Sequence, residues 1–279
     1  MKFTKMHGCG NDYVYFDCTN EQLPDETAAA IKLSDRHFGI GGDGIILIKK
    51  GSKADFEMVM YNADGTRGAM CGNGIRCVAK YVYDHKLTDK TSFTVESMGA
   101  VKVIDVTVEN GEVVSARVDM GAPSLRAEDI PVICSGDRAV DCPVTVGGRE
   151  YRMTCVSMGN PHAVVFIDSP PRDFDVEGVG RLFENSEMFP DRTNTEFIKV
   201  TDRKNLEMRV WERGSGETLA CGTGACASAV AAMVNGYCES EVTVHLLGGD
   251  LQISWSGKEG DSVFMTGPAT TVFEGEINL

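Results

Sequence analysis

The feature that most constrains the fold of this sequence is a short motif that occurs twice, a cysteine followed by Gly-x-Gly. The first copy is MCGNG at residues 70–74 and the second is ACGTG at 220–224, so Cys71 and Cys221 lie about half a chain apart. Other matches recur in the same order at nearly the same offset: Gly-Asn at 10–11 and 159–160, and an apolar pair before Lys at 47–49 and 197–199. Several matches in one order predict a duplicated domain rather than a solenoid of many short repeats.

Length and composition agree with two folded halves. The chain has 279 residues, of which 42% are hydrophobic, enough for two domains with cores of their own. The net charge of −14 argues against a partner that is nucleic acid or an anionic membrane. We find no apolar run long enough for a signal peptide or a membrane span, and therefore expect a cytoplasmic protein.

The ten cysteines of the chain need a separate explanation. A chain of this size can build its own core, so we expect reduced thiols rather than a disulfide framework. The intervals from Cys71 to Cys77 and from Cys221 to Cys226 are too wide for a zinc knuckle, and five histidines add no metal signature. We therefore expect no metal.

Periodicity predicts mixed α and β structure. Alternating apolar residues predict strands at 56–60, 101–108, 112–119, 242–246 and 251–255. Turn signals at 110–111 and 147–148 favour antiparallel pairing over a doubly wound sheet. We expect one helix after Pro24 that runs to about Phe38 with Gly39 as its stop, and a counterpart near 175–187.

Two further helices should begin directly after the cysteines. Residues 225–234 are small and apolar on every side, which indicates a helix enclosed by other structure. Its unpaired N–H groups and the positive end of its dipole would converge at residues 222–224, and the same holds for 72–74. The sequence therefore predicts two anion sites.

Thiols at such positions suit proton transfer. A cysteine pKa of about 8.5 can be lowered at a helix N-terminus, which generates a basic thiolate. Moving a proton from one face of a carbon to the other needs a base on one side and an acid on the other. The helix starts would stabilise the enediolate-like charge formed when an α-proton leaves. Taken alone, each motif could equally be a tight turn with a buried cysteine.

The motifs MHGCGNDY, GIGGDG, YNADGTRGAMCGNGIRC, SMGNPHAV, RTNTEF and WERGSGETLACGTGACA together resemble diaminopimelate epimerase over residues 2 to about 273. The resemblance implies a cofactor-independent isomerase of lysine and cell-wall biosynthesis that interconverts LL- and meso-diaminopimelate. It also implies an α/β (α+β) fold of two pseudo-symmetric domains, each a mainly antiparallel sheet or barrel around a central helix, and a homodimer. We expect one domain to comprise residues 1–122 with 268–279, and the other residues 123–267.

The resemblance also assigns site residues. Cys71 and Cys221 are the two acid/base groups, and His162 and Glu212 take part in setting their protonation. The implied substrate contacts are Asn11, Asn62, Gly72, Asn73, Asn160, Asn194, Glu212, Arg213, Gly222 and Thr223. These roles make physical sense, because a guanidinium such as that of Arg213 can bind a distal carboxylate with two bonds and amides can serve an ammonium or a carboxylate.

Two departures and two alternatives accompany this interpretation. Gly44 stands where many members have Gln, which removes a polar contact near the reacting end, and Phe273 stands where Tyr is frequent, which removes a hydroxyl at the dimer interface. Another amino-acid racemase of the same fold, for proline or histidine, is the nearest enzyme alternative, although Asn73 argues against a proline racemase. A redox or thiol-metal protein is the alternative from a different class.

Overall fold

The computed structural model describes residues 1–68 and 70–278. These residues form four α-helices: α1 Glu26–Ser34, α2 Gly72–Asp84, α3 Val176–Glu184 and α4 Gly222–Val234. They also form seventeen strands: β1 Lys2–Gly8, β2 Asn11–Asp17, β3 Gly44–Lys50, β4 Phe56–Asn62, β5 Ser92–Ser97, β6 Ala100–Glu109, β7 Glu112–Gly121, β8 Cys142–Val146, β9 Arg149–Ser157, β10 Pro161–Phe166, β11 Asn194–Asp202, β12 Asn205–Glu212, β13 Gly216–Thr218, β14 Glu241–Leu246, β15 Gly249–Ser254, β16 Val263–Gly267 and β17 Thr270–Glu276.

Contacts divide the described residues into two compact units. Unit 1 comprises Met1–Asp119 with Thr266–Leu279, and unit 2 comprises Met120–Met265. The division predicted from the sequence, at residues 122 and 267, remains a prediction about which segments fold independently. No helix in the described part of the chain is long and apolar enough to cross a membrane.

The two units repeat one order of strand pairing. In unit 1, β1 pairs antiparallel with β2, β2 parallel with β3, β3 antiparallel with β4, β4 parallel with β5, and β5 antiparallel with β6. In unit 2 the same sequence of pairings links β9, β10, β11, β12, β14 and β15. The predicted duplication and the mainly antiparallel fold class are therefore confirmed.

Local sequence explains the hairpins and the helix starts. Asn110 and Gly111, between β6 and β7, both have positive φ (52° and 86°), as the tight turn predicted there requires. Aspartates at the N-caps of α1 and α3, Asp25 and Asp175, accept hydrogen bonds from the backbone N–H groups of Ala28 and Gly178.

The prediction that the first helix runs to about Phe38 was wrong. The helix α1 ends at Ser34, because the backbone of Asp35 leaves the helical region and its carboxylate accepts hydrogen bonds from the N–H groups of His37 and Phe38. The side chain of Phe38 is 92% exposed and gives no packing that would extend the helix.

Each unit encloses one helix. The side chains of α2 are buried from Gly72 to Val82, and the helix contacts β1, β2 and β6. The helix α4 is buried from Gly224 to Ala232 and contacts β9, β10, β11, β12, β14 and β15. Both helices begin directly after the repeated cysteines, as predicted.

Candidate active site

Cys71 caps the first turn of α2. Its backbone is extended (φ −116°, ψ 112°), and its Sγ accepts a hydrogen bond from the N–H of Gly74 at 3.2 Å. A Cβ at Gly74 would lie 2.7 Å from Ile46 Cδ1 and 3.4 Å from Cys71 Sγ, so a side chain there would crowd the thiol. The thiol thus lies at the N-terminal end of the helix, where the helix dipole stabilises negative charge.

Asn11 connects this thiol to neighbouring polar groups. Its Oδ1 lies 3.3 Å from Cys71 Sγ and 3.4 Å from Asn73 Nδ2, which both donate to it. Its Nδ2 donates to Asp43 at 2.7 Å, and this bond fixes the orientation of the amide. The structure therefore brings together three of the predicted site residues, Asn11, Cys71 and Asn73.

A cluster of charged side chains fixes the position of the strand end next to Asn11. Asp43 also accepts the backbone N–H of Asp12 at 3.1 Å and pairs with Arg36 at 3.0 Å. Burial opposes ionisation of Asp12, but hydrogen bonds and positive charge from Arg36 and Lys5 outweigh it and lower the pKa of that carboxyl. Asp12 therefore remains charged, and the bonds of Asp43 to the Asn11 amide and the Asp12 N–H hold the strand end that carries Asn11.

Arg76 fixes the first turn of α2. Its guanidinium is fully buried and donates to Gly72 O at 3.0 Å, to Asn73 Oδ1 at 2.9 Å and to Pro268 O at 3.2 Å. Because a buried cation needs partners for its N–H groups, these bonds set the positions of Gly72 and Asn73. Sequence reasoning missed this residue, although it lies within a quoted motif.

Tyr13 is a second neighbour of Cys71 that sequence reasoning did not single out. Burial raises the pKa of Tyr13 well above its usual range, and the nearby Cys71 and Asp43 raise it further. The hydroxyl, which is hydrogen-bonded with Asn11 and Cys71, therefore stays protonated.

Asn62 and Gly44 lie opposite each other at the paired ends of β4 and β3. The Asn62 amide donates to Thr66 Oγ1 at 3.0 Å in the turn that follows. A Cβ at Gly44 would lie 2.0 Å from Tyr61 O and 2.9 Å from Tyr13 Cε1. A side chain at position 44 therefore requires a backbone shift in this chain.

Cys221 occupies the equivalent place before α4. Its backbone angles (φ −115°, ψ 110°) match those of Cys71, and its side chain is only 6% exposed. Its Sγ lies 3.5 Å from Thr223 Oγ1. A Cβ at Gly224 would lie 3.2 Å from Cys221 Cβ and 2.6 Å from Glu196 Oε1, so a carboxylate lies close behind the first turn.

The resting thiol of Cys221 is harder to ionise than the sequence led us to expect. Burial raises the pKa of Cys221 well above its ordinary value, and the neighbouring Glu212 and Glu196 add to the effect. Hydrogen bonds from Thr223 and Gly224 act in the opposite direction without overcoming it. The expectation that the helix start would lower the pKa was wrong for this thiol, because desolvation and the two carboxylates outweigh the hydrogen bonds at the helix start.

Asn160 and His162 extend from Thr223 into the interior of unit 2. Asn160 Nδ2 donates to Thr223 Oγ1 at 3.3 Å, and Asn160 Oδ1 lies 3.0 Å from His162 Nε2. The other ring nitrogen, Nδ1, lies 2.7 Å from Glu196 Oε1. Asn160, His162, Cys221 and Thr223 therefore form one contiguous network.

Glu212 lies at the end of β12. Burial raises the pKa of Glu212, while hydrogen bonds from Thr218 and Cys221 lower it in part. Glu212 therefore lies next to the second thiol, as the sequence resemblance implied.

Asn194 and Arg213 are linked to each other. Asn194 Oδ1 accepts the backbone N–H of Arg213 at 2.9 Å, and Asn194 Nδ2 donates to Pro161 O at 2.8 Å. The guanidinium of Arg213 is exposed and donates to Asp191 O at 2.9 Å. It retains further N–H groups for a carboxylate.

Among the described residues, no group of three or more His, Cys, Asp and Glu side chains could hold a metal ion. The expectation of a metal-free and cofactor-free site remains a prediction.

Comparison with known sequences places the chain in a family. The model of the family described as diaminopimelate epimerase matches residues 3–126 and 154–272. The diaminopimelate epimerase of Agathobacter rectalis is 57% identical over an alignment of 286 positions that covers 100% of both chains. Those of Methanococcus maripaludis and Acetivibrio thermocellus are 52% and 51% identical, over 100% of this chain and at least 99% of theirs.

Solved structures show the same fold. A hydroxyproline epimerase from Agrobacterium vitis has a TM-score of 0.70 at 13% identity over 99% of this chain and 90% of its own. A phenazine biosynthesis protein of the PhzF family from Bacillus anthracis has a TM-score of 0.69 at 17% identity over 100% and 99%. With its motifs, its repeated pairing order and these relatives, this chain belongs to the diaminopimelate epimerase family.

Proposed function

We propose that this protein interconverts LL- and meso-diaminopimelate without a cofactor, with Cys71 and Cys221 as the two acid/base groups. Full-length relatives that carry this activity in their name support the reaction. The observation that carries the mechanism is the equivalence of the two thiols, each at the residue before a buried helix and each with nearly identical backbone angles.

Racemisation at an α-carbon needs a base on one face and an acid on the other. One thiolate removes the α-proton while the other thiol donates a proton to the opposite face, and the roles exchange in the reverse direction. The raised pKa of Cys221 supplies a protonated thiol in the resting enzyme. Its ionisation then requires the substrate and the N–H groups of α4 to favour the charged form.

The carbanion is stabilised by groups that the chain itself provides. The first N–H groups of α2 and α4, at residues 72–74 and 222–224, stabilise negative charge because they form the positive end of each helix dipole. In this proposal they bind the substrate carboxylate, on which charge develops when the α-proton leaves. Gly72, Asn73, Gly222 and Thr223 contribute as the first residues of these helices.

Diaminopimelate carries an amino-acid group at both ends, so the enzyme must hold the end that does not react. Arg213 binds the distal carboxylate in this proposal, because its guanidinium is exposed and its backbone is anchored by Asn194. Asn11, Asn62 and Asn160 offer amide groups, and Glu212 offers a carboxyl group to a substrate ammonium. This requirement for a second polar end distinguishes the substrate from proline.

A comparison of four amino acids as substrates tests this function. Reduced enzyme in D2O, with no added cofactor, is incubated separately with LL-diaminopimelate, proline, histidine and glutamate, and proton NMR follows the α-hydrogen signal. We expect exchange and a meso product with diaminopimelate alone. Exchange with another amino acid would overturn the substrate, and no exchange with any of them would favour a thiol-redox or thiol-metal protein.

We further propose that the enzyme is a cytoplasmic homodimer. Val272 and Phe273 of β17 are 54% and 46% exposed, two neighbouring large apolar side chains that a second copy of the chain could cover. Light scattering after size exclusion tests this state, with twice the mass of the 30.2 kDa chain as the expected result. A mass of one chain at micromolar concentration would contradict it.

A further inference from the structure

A buried carboxylate behind Cys221 has no part in the function described so far. Glu196 lies on β11, and His162 lies on the neighbouring strand β10. Both side chains are 0% exposed, and Glu196 Oε1 lies 2.7 Å from His162 Nδ1. The other oxygen, Oε2, has no hydrogen-bond partner among the described residues.

The hydrogen bonds define the orientation of the His162 ring. The amide oxygen of Asn160 faces His162 Nε2 at 3.0 Å, so Nε2 must carry a hydrogen in order to donate to it. The 2.7 Å contact between Nδ1 and Glu196 Oε1 anchors the opposite edge of the ring, so the carboxylate holds the imidazole in an orientation that directs Nε2 at Asn160.

This pair reaches the thiol by two routes. One is the chain of hydrogen bonds from His162 through Asn160 and Thr223, whose hydroxyl lies 3.5 Å from Cys221 Sγ. The other is direct packing around Gly224, whose missing Cβ would lie 2.6 Å from Glu196 Oε1 and 3.2 Å from Cys221 Cβ. Glycine at 224 lets the carboxylate approach the helix start this closely.

The titratable groups around the pair are few. Glu212 of β12 and the thiol of Cys221 face it from the side of the helix start, and both have raised pKa values to which Glu196 contributes. Cys155 of β9 is a further such group: burial raises its pKa, and Glu196 adds to the effect. The carboxylate of Glu196 therefore adds negative charge near both Glu212 and Cys221.

We propose that Glu196 is a positioning residue: through its bond to His162 it holds His162 and Asn160 beside Cys221, and its carboxylate supplies negative charge next to that thiol. This inference rests on the proposed epimerase function. Glu196 acts through other residues, so it should influence proton transfer at Cys221 while leaving substrate affinity nearly unchanged.

The test is Glu196→Gln, which keeps the size of the side chain and one hydrogen bond to His162 but removes the titratable group. Alkylation of Cys221 by iodoacetamide is followed by peptide mass as a function of pH. We expect the profile to move to lower pH by about half a unit or more, because a negative charge beside the thiol is gone. This readout does not depend on turnover.

Kinetics supply the second readout. A thiol that ionises at lower pH is less available as the acid. Because the forward and reverse reactions share one transition state, this loss slows both. We therefore expect kcat to fall on the order of 10-fold in both directions, less than for loss of a direct acid or base, with KM changed by less than about threefold.

Two variants make the comparison interpretable. Glu96→Gln removes another buried carboxylate, in unit 1, whose Oε1 accepts the backbone N–H groups of Ser52 and Lys53. It should leave the Cys221 profile and kcat unchanged. Glu196→Ile places at this position the residue type found at Ile46 of unit 1, and should lower kcat at least as much as Glu196→Gln.

Clear outcomes would overturn the proposal. In a Glu196→Gln protein with wild-type circular dichroism, an alkylation profile that superimposes on the wild-type profile would show that Glu196 does not act on Cys221. An unchanged kcat would also overturn it. Failure of the proposed function is distinguishable, because in that case the wild-type enzyme itself would not act on diaminopimelate.

Discussion

The two thiols of this enzyme lie at the same place in two copies of one fold, yet their surroundings differ. The parallel ladder of unit 1 pairs Tyr13 with Gly44, and that of unit 2 pairs His162 with Asn194. Two residues further along, position 46 is Ile in the first unit and position 196 is Glu in the second. The backbone is repeated, whereas the side chains behind the thiols are not.

These differences change the chemistry of each thiol. Cys71 is partly exposed, accepts from Gly74 and has amide and phenol neighbours. Cys221 is buried, with an ionisable pair behind its helix start. The comparison teaches that duplication repeats the position of a thiol before a buried helix, while different residues at two equivalent positions give each thiol its own surroundings.

Removal of either thiol should have the largest effect. Cys71→Ala and Cys221→Ala should each reduce epimerisation by on the order of 10³-fold or more, because a proton cannot be moved across the α-carbon with only one of the two groups. The assay follows product formation in both directions, and circular dichroism confirms that the fold is intact. An active single variant would refute the two-base mechanism.

Substitution at the equivalent positions 13 and 162 should reveal which side depends on an ionisable neighbour. We expect His162→Gln to lower kcat by about 100-fold, as is typical of groups that assist proton transfer, and Tyr13→Phe to lower it by less than about 10-fold. Steady-state kinetics of both variants measure the difference. Equal losses would show that the phenol and the imidazole have equivalent roles.

The two glycines at the third helix position give a matched pair. The closest contact of a Cβ at residue 74 is the flexible end of Ile46, at 2.7 Å, with Cys71 at 3.4 Å. A Cβ at residue 224 meets the carboxylate of Glu196, which is bonded to His162. Gly224→Ala should therefore lower kcat by about 10-fold. Gly74→Ala should lower kcat less, and in its free energy of unfolding the gain of about 1 kcal/mol in helix propensity should offset the crowding. Kinetics and thermal unfolding of both proteins provide the measurement, and a greater loss of kcat in Gly74→Ala would contradict the account.

The smallest expected effect concerns the equivalent residues Glu212 and Asn62. Because the folded-state pKa of Glu212 is raised above 4.5, the native state binds more protons, and stability falls as pH rises from about 4.5 through the raised pKa. Replacement by Gln removes this loss, so the variant should gain stability relative to wild type over that range, by at most about 1.4 kcal/mol per pH unit.

Urea unfolding between pH 4 and 8 measures this difference. Asn62→Ala is the control from unit 1, and its difference from wild type should be independent of pH. A Glu212→Gln difference that is flat with pH would show that burial does not perturb this carboxyl group.

Much of the fold could be predicted from the sequence because its signals are local. The hairpin at Asn110 and Gly111 follows from residues that accept positive φ, and the starts of α2 and α4 follow from the repeated cysteine motif. The end of α1 was misplaced because the Asp35 side chain competes with the helix for backbone N–H groups. The spacing of apolar residues, on which the prediction was based, carries no information about this competition.

The site was predicted less completely, and the reason is physical. The motifs identified Cys71, Cys221, Asn11 and Asn160, but the partnership of His162 with Glu196 depends on the parallel register of two strands separated by 27 residues of chain (166 to 194). The raised pKa of Cys221 likewise depends on burial, a tertiary property.

The most direct test of the central claim is isotopic. LL-diaminopimelate is converted in D2O by wild-type enzyme, and product and recovered substrate are analysed early, by NMR and mass, for deuterium at the α-carbon. The account predicts meso product that carries deuterium, while the remaining LL substrate retains its proton, because the acid on the far side delivers a solvent-derived hydron. Product that keeps the original proton, or substrate that exchanges before product appears, would contradict a mechanism with two separate thiols.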